Sequence, residues 1–79
     1  MTTKSSYPLD SKNYYGAIAD FNQAIRIKPD YDLAYFYRAR AKYESQDYSG
    51  AIADYSIHIE SDPDSYAAYY NRGLAVKNC

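Results

Sequence analysis

The sequence predicts an all-α protein of about four helices, arranged as antiparallel helical hairpins that stack on one another. The first observation is a repeat, since YYGAIADF at residues 14–21 returns 34 residues later as YSGAIADY at residues 48–55. Without a gap, residues 14–45 and 48–79 are identical at 13 of 32 positions. The second observation is the three-to-four residue spacing of apolar side chains, which is typical of helices that bury one face. A fixed period of this length indicates a stacked repeat architecture.

The first helix is predicted to follow a loose lead-in at residues 1–12, where the sequence has no helical periodicity. Asn13 is expected to cap its start, since an asparagine side chain accepts backbone N–H bonds in the first helical turn. The helix should end near Lys28, because Pro29 disfavours the α conformation in the residue before it. Asp30 is then expected to cap a second helix, and the short turn between the two makes them antiparallel.

The remaining helices follow the same pattern one period later. The second helix is predicted to run to about Ser45, and Asp47 occupies the capping place in the next turn. The third helix, from Tyr48 to about Glu60, repeats the first. A fourth is expected from about Ser65 towards the end of the chain.

Small and large side chains also recur at set places in the period. The small residues are Ala17, Ala24, Ala39, Ala51 and Gly73, and the large rings are Phe21, Tyr35, Tyr55 and Tyr69. Small side chains let a facing helix approach closely, and the rings fill the space beside them. This alternation predicts tight packing between neighbouring hairpins.

Composition and charge exclude several classes of partner. A net charge of −1 gives no long-range field that would attract nucleic acid or an anionic membrane. No apolar run approaches the roughly 20 residues that span a bilayer, and the N-terminal sequence does not resemble a signal peptide. We therefore expect an intracellular, cytoplasmic protein without a nucleic-acid or membrane partner. The single Cys79 cannot form an internal disulfide, and we interpret it as a reduced terminal thiol.

Residues with catalytic or metal-binding chemistry are few. His58 has no Cys or second His at ligand spacing, so we interpret it as a packed or hydrogen-bonded imidazole. It replaces Ala24 of the first copy, and we expect some local adjustment around the larger ring. The sequence also lacks a phosphate-binding loop and a nucleophile motif. It predicts no enzyme activity, no catalytic residue, no metal site and no cofactor.

Two acidic and two basic residues recur at the 34-residue period. They are Asp20 and Asp54, and Arg38 and Arg72. Repetition at a fixed period is what structure requires and catalysis does not. We expect ion pairs between adjacent helices rather than an acid–base pair.

These features together resemble the tetratricopeptide repeat (TPR) family. The shared features are the period of 34, the unit-ending Pro29 and Pro63, and an alanine followed four residues later by an aromatic ring, as in Ala17 to Phe21 and Ala51 to Tyr55. Tyr35 and Tyr69 stand where the family usually has Trp, and Ala39 and Gly73 stand at its small position. Departures from the pattern are Arg38 and Arg72 in place of Leu, Lys42 and Val76 in place of Tyr, and His58 in place of Ala. The resemblance covers residues 13–79.

The resemblance implies a short right-handed superhelical solenoid. Residues 13–31 would be the second helix of a partial repeat, residues 32–65 a complete repeat, and residues 66–79 the first helix of a truncated repeat. The family's known role implies a protein–protein interaction module, in which a partner segment lies in a concave groove lined by the first helix of each unit. By position, the groove residues are Leu33, Phe36, Tyr37, Arg40, Tyr43 and Glu44, followed by Tyr70, Asn71, Leu74, Lys77 and Asn78.

Two explanations remain open for the unpaired helix at each end of this register. The chain is either an excerpt from a longer array, or copies associate so that the fourth helix of one completes a repeat with the first helix of another. In the second case the chain is a self-assembling structural element. Its contact residues would be Tyr14, Ile18, Tyr70, Leu74 and Ala75. RNA binding by a helical repeat is a weaker alternative, because the basic residues form no stripe.

Overall fold

The computed structural model describes residues 11–79 and contains four α-helices in that range. They are α1 (Ser11–Ile27), α2 (Asp32–Glu44), α3 (Tyr48–Ser61) and α4 (Tyr66–Asn78). No strand occurs within the described residues. The predicted all-α class and the number of helices are therefore confirmed, whereas residues 1–10 of the predicted lead-in lie outside the described part.

The start of α1 differs from the sequence-based expectation. Asn13 lies inside α1 (Ser11–Ile27), so it is not the N-cap of this helix. The predicted C-terminus is close to the observed one, because the helix ends at Ile27, and the Lys28 amide still donates to the Ala24 carbonyl at 2.9 Å. The turn containing Pro29 then redirects the chain.

The cap predicted for α2 is also wrong. The N-cap residue is Tyr31, which makes no side-chain capping bond. Asp30 lies one residue too early and instead accepts a hydrogen bond from Lys28 Nζ at 3.1 Å. That hydrogen bond lowers the pKa of the exposed Asp30 carboxyl.

The turn between α2 and α3 follows the prediction more closely. Asp47 is the N-cap of α3, and its carboxylate accepts from the Gly50 amide at 3.1 Å. Gln46 takes a positive φ of 73°, and its amide donates to the Tyr43 carbonyl at 2.9 Å, which closes α2. A Cβ at Gly50 would collide with the Asp47 carboxylate and the Lys42 side chain, so a larger residue here would displace the capping carboxylate.

The core lies between α2, α3 and α4, and its contacts are made by small residues around one large ring. Ala39, Ala51, Ala68 and Ala75 are fully buried, and Tyr55 is 1% exposed. Phe36, Tyr43 and Ile52 pack against this cluster. Gly73 does not serve as a close-contact position as predicted, since it is exposed and nothing lies within 4 Å of where its Cβ would be.

Consecutive helices pack against each other throughout the described chain, and α2 also contacts α4. Within residues 11–79, no helix combines the length and the apolar character that crossing a membrane requires.

Candidate protein-binding surfaces

The predicted groove residues of α2 divide into two groups. Leu33 and Tyr37 are 44% and 45% exposed, and Arg40 and Glu44 are exposed as well. These four side chains are therefore available to a partner.

Phe36 and Tyr43 are half-buried and serve the fold instead. The ring of Phe36 lies edge-on to Tyr55, with centroids 5.6 Å apart. Tyr43 packs edge-on to Tyr48 at 5.3 Å. Substituting either ring would disturb the core as well as any groove.

The predicted groove residues of α4 are more open. Tyr70 is 68% exposed, and Lys77 and Asn78 are exposed, whereas Asn71 and Leu74 are half-buried. Asn78 Nδ2 donates to Tyr43 Oη at 3.1 Å. This bond connects the end of α4 to α2.

An open cleft of about 440 Å³ lies between α1 and α2. Its lining residues are Tyr14, Ala17 and Phe21 from α1, and Tyr37, Arg40, Ala41 and Glu44 from α2. The rings of Phe21 and Tyr37 are stacked across it, with centroids 6.1 Å apart. The cleft thus brings Tyr14, predicted for self-association, next to three residues that were predicted for the partner groove.

The other residues predicted for self-association differ in their exposure. Ile18 and Leu74 are half-buried, and Tyr70 is exposed. Ala75 is fully buried inside the core of its own chain, so the prediction that it contacts another copy is wrong. Its small side chain lies in the cluster around Tyr55, and no partner can reach it.

Three residues of the cleft were not predicted as site residues from the sequence. They are Ala17, Phe21 and Ala41. Their equivalents 34 residues later are Ala51, Tyr55 and Ala75, which all belong to the buried core cluster. The repeat itself was therefore the signal that could have identified them, because the equivalent face is covered by a helix in one copy and borders an open cleft in the other.

A polar cluster joins α2 to α3 on the side of the core. Arg38 donates from Nε and Nη2 to the two carboxylate oxygens of Asp54, at 2.8 and 2.7 Å. Lys42 Nζ lies 3.1 Å from the same carboxylate. The hydrogen bonds to Asp54 raise the pKa of Arg38. The ion pair predicted between adjacent helices is thus confirmed for Arg38 and Asp54.

The other two members of the predicted quartet form no ion pair within residues 13–79. Arg72 donates from Nη1 to Ser56 Oγ at 2.9 Å. This bond repeats the one from Arg38 Nη1 to Asn22 Oδ1, and both span 16 residues. Asp20 is exposed. The repeat is therefore reproduced in the hydrogen bond from each arginine to an uncharged side chain 16 residues earlier, and not in the ion pair.

His58 is 3% exposed and connects three helices. Its Nδ1 lies 2.9 Å from the Asp32 carbonyl, and its Nε2 lies 3.2 Å from Ser65 Oγ. Because a carbonyl can only accept, Nδ1 carries the proton, and Nε2 accepts from the Ser65 hydroxyl in the neutral ring. The predicted hydrogen-bonded structural role of His58 is confirmed.

The phenol of Tyr55 lies in the core and stays neutral, because burial raises its pKa to about 12.

Among the described residues, no group of three or more His, Cys, Asp or Glu is arranged to hold a metal ion.

No protein-family model matches the chain, and no curated protein and no solved structure is significantly similar to it. The assignment to the tetratricopeptide repeat family therefore stays a prediction, based on the repeat in the sequence.

Proposed function

We propose that this protein is a non-catalytic protein-interaction module of the tetratricopeptide type, which binds a segment of another protein along α2 and α4. The exposed aromatic surface of these two helices carries the proposal. Tyr37 is 45% exposed and Tyr70 is 68% exposed. Tyrosine suits such a surface, because each ring offers apolar area at a low entropic cost together with a hydroxyl group.

The repeat architecture is supported by pairs of equivalent contacts. Arg38 lies 5.3 Å above the centroid of the Tyr35 ring, and Arg72 lies 5.3 Å above the ring of Tyr69. Each arginine also donates to the residue 16 positions earlier. Equal contacts at a spacing of 34 residues are what two successive repeats require.

The order of helix packing also favours an open stack of the tetratricopeptide type over a closed bundle. Consecutive helices pack against each other and α2 touches α4, whereas α1 and α4 share no contact of comparable extent. A closed four-helix bundle would bring its first and last helices together. In a stack, the two helices on one side form a continuous binding surface.

The charges on this surface suggest the chemistry of the partner segment. Arg40 on α2 and Lys77 on α4 are exposed, and Glu44 is the acidic residue of the same groove. Because basic groove residues outnumber acidic ones, a segment that combines apolar and acidic side chains fits the two helices. We expect modest affinity, because interfaces well below roughly 1,200 Å² belong to transient complexes.

The environment of the histidine supports a non-catalytic role. His58 is the single histidine of the chain, and both of its ring nitrogens are engaged in hydrogen bonds that connect helices. A ring that is 3% exposed has little access to a substrate. The surfaces of the chain are better suited to contact than to reaction.

Selection from a displayed library of random peptides tests the partner groove without knowledge of the natural partner. We expect enriched peptides to carry aromatic and acidic residues, and to lose at least about tenfold in affinity for the variant Tyr70→Ala, Arg40→Glu. Tyr15→Ala is the matched control, because Tyr15 is 61% exposed on α1 and lies outside the groove. Equal loss in both variants, or no enrichment, would contradict the proposal.

A further inference from the structure

We infer that copies of this chain associate head to tail, with α4 of one copy seated in the cleft between α1 and α2 of the next. The occupant of the cleft is thus a second copy of the same chain. The cleft shares Tyr37, Arg40 and Glu44 with the proposed partner groove, so a second copy and a foreign segment would compete for this surface.

The chain itself contains a filled version of this cleft. The equivalent surfaces of α3 and α4, one period later, are covered by α2. In that copy Ala51 and Ala75 are fully buried and Tyr55 is 1% exposed. Asn78 of α4 is hydrogen-bonded to Tyr43 of α2. Because α4 is the repeat equivalent of α2, the translation that relates the two copies would seat α4 in the cleft between α1 and α2.

The apolar surfaces of the two ends are complementary. Within the chain, Ala39 of α2 lies in one cluster with Ala51 and Tyr55 of α3. The equivalents are Gly73 on α4, which has open space around it, and Ala17 and Phe21, which line the cleft on α1. Seating α4 in the cleft would bury Gly73, Ala17 and Phe21 in the same way that Ala39, Ala51 and Tyr55 are buried within the chain.

An aromatic contact would form beside them. The exposed Tyr70 is the equivalent of Phe36, whose ring lies 5.6 Å from that of Tyr55. In the assembly, Tyr70 of one copy would therefore meet Phe21 of the next. Tyr70 is the most exposed aromatic ring among the predicted groove residues, and this contact would cover it.

The charges are complementary as well. Arg38 and Asp54 form the ion pair that connects α2 to α3. Their equivalents at the two ends are Arg72 on α4 and Asp20 on α1, and neither forms an ion pair within residues 13–79. The same translation that seats α4 in the cleft places Arg72 of one copy against Asp20 of the next. A charge pair of this kind fixes the register of an interface.

Such a contact is heterologous, because the surface of one copy differs from the surface it meets on the next. Each added copy leaves one free cleft and one free α4, so the association does not stop at a dimer. The average mass in solution should therefore rise continuously with concentration.

Sedimentation velocity on a dilution series of the full chain, from about 1 µM to about 1 mM, measures this mass. We expect it to rise above the 9.1 kDa of one chain. Gly73→Glu should keep the protein monomeric, since it adds a charge where the neighbouring copy would pack, while open space around Gly73 preserves the fold. Ala53→Glu, on an exposed position of α3, is the matched control and should associate like the unchanged chain.

Charge exchange and mixing test the head-to-tail register. Asp20→Arg alone should weaken association at least about tenfold, and Asp20→Arg combined with Arg72→Asp should restore it. A mixture of Gly73→Glu chains and Asp20→Arg chains should form dimers, because each variant blocks a different end. Circular dichroism of every variant confirms that its helices are retained.

Three outcomes would overturn the inference. One is a mass of 9.1 kDa for the unchanged chain at every concentration, as expected if residues 1–10, a further segment or another protein fills the cleft. The others are association of Gly73→Glu equal to that of the unchanged chain, and absence of dimers in the mixture. Peptide binding is measured at a dilution at which sedimentation shows a monomer, so the failure of one proposal can be told apart from the failure of the other.

Discussion

Arg38 on α2 and Asp54 on α3 form a bidentate ion pair, with hydrogen bonds of 2.8 and 2.7 Å. The Asp54 side chain is 3% exposed and the Arg38 side chain is 17% exposed, so it is the carboxylate that lies almost out of contact with water. A buried carboxylate is tolerated only when its oxygens are satisfied, and Lys42 adds a third contact at 3.1 Å. This cluster therefore holds the two central helices in a defined register.

Asp54→Asn should be strongly destabilising, because it leaves two cations beside an amide that cannot balance their charge. We expect a loss of about 3 kcal/mol in the free energy of unfolding. Urea unfolding followed by circular dichroism measures it. Asp20→Asn at the equivalent exposed position should change stability by less than about 0.5 kcal/mol at low protein concentration. Similar losses in both variants would show that burial does not decide the effect.

The two glycines at equivalent places in α1 and α3 should respond oppositely to alanine. Gly16→Ala should stabilise the protein by up to about 1 kcal/mol, because its Cβ meets nothing within 4 Å and alanine favours the helix. Gly50→Ala should destabilise it, because the new Cβ collides with the capping carboxylate of Asp47. Thermal unfolding of the pair measures the difference in sign. A stabilised Gly50→Ala variant would mean that the cap moves without penalty.

His58→Ala should weaken the connection between α3 and the starts of its two neighbours. The substitution leaves the Asp32 carbonyl and the Ser65 hydroxyl without their buried partner, which costs about 1–3 kcal/mol. Chemical unfolding measures the loss. Glu60→Ala, an exposed position on the same helix, should stay within about 0.5 kcal/mol of the unchanged chain. An unchanged stability of His58→Ala would contradict the bridging role.

Tyr55 should make stability decrease in alkaline solution. Its pKa is about 12 in the folded chain, above the value of about 10 in an unfolded one. A group with a raised folded pKa contributes its stability in full below pH 10, and this contribution is lost as the pH rises through 12. Urea unfolding between about pH 9 and about pH 11 should show a steeper decline for the unchanged chain than for Tyr55→Phe. Identical slopes would mean that the ring is hydrated in the folded state.

Part of this molecule is determined by local sequence alone. The helical spacing of apolar residues, Pro29 and the capping Asp47 act within a few residues of one another, so they predict the four helices and most of their ends. Local signals failed at the N-termini of α1 and α2. Asn13 and Asp30 are good capping residues by type, but Asn13 lies inside α1, and α2 begins at Asp32 with Tyr31 as its N-cap. Residue type alone does not choose the cap, because more than one residue near each start has capping chemistry.

Only the tertiary structure decided which member of each equivalent pair is covered. Ala39 and Gly73 occupy one place in the repeat, and Asp20 and Asp54 occupy another. The place in the repeat does not show which member of a pair is buried. One member of each pair is buried between helices and the other is exposed. Burial depends on which helix lies opposite, and a repeat fixes the periodic contacts but not the neighbours at its two ends.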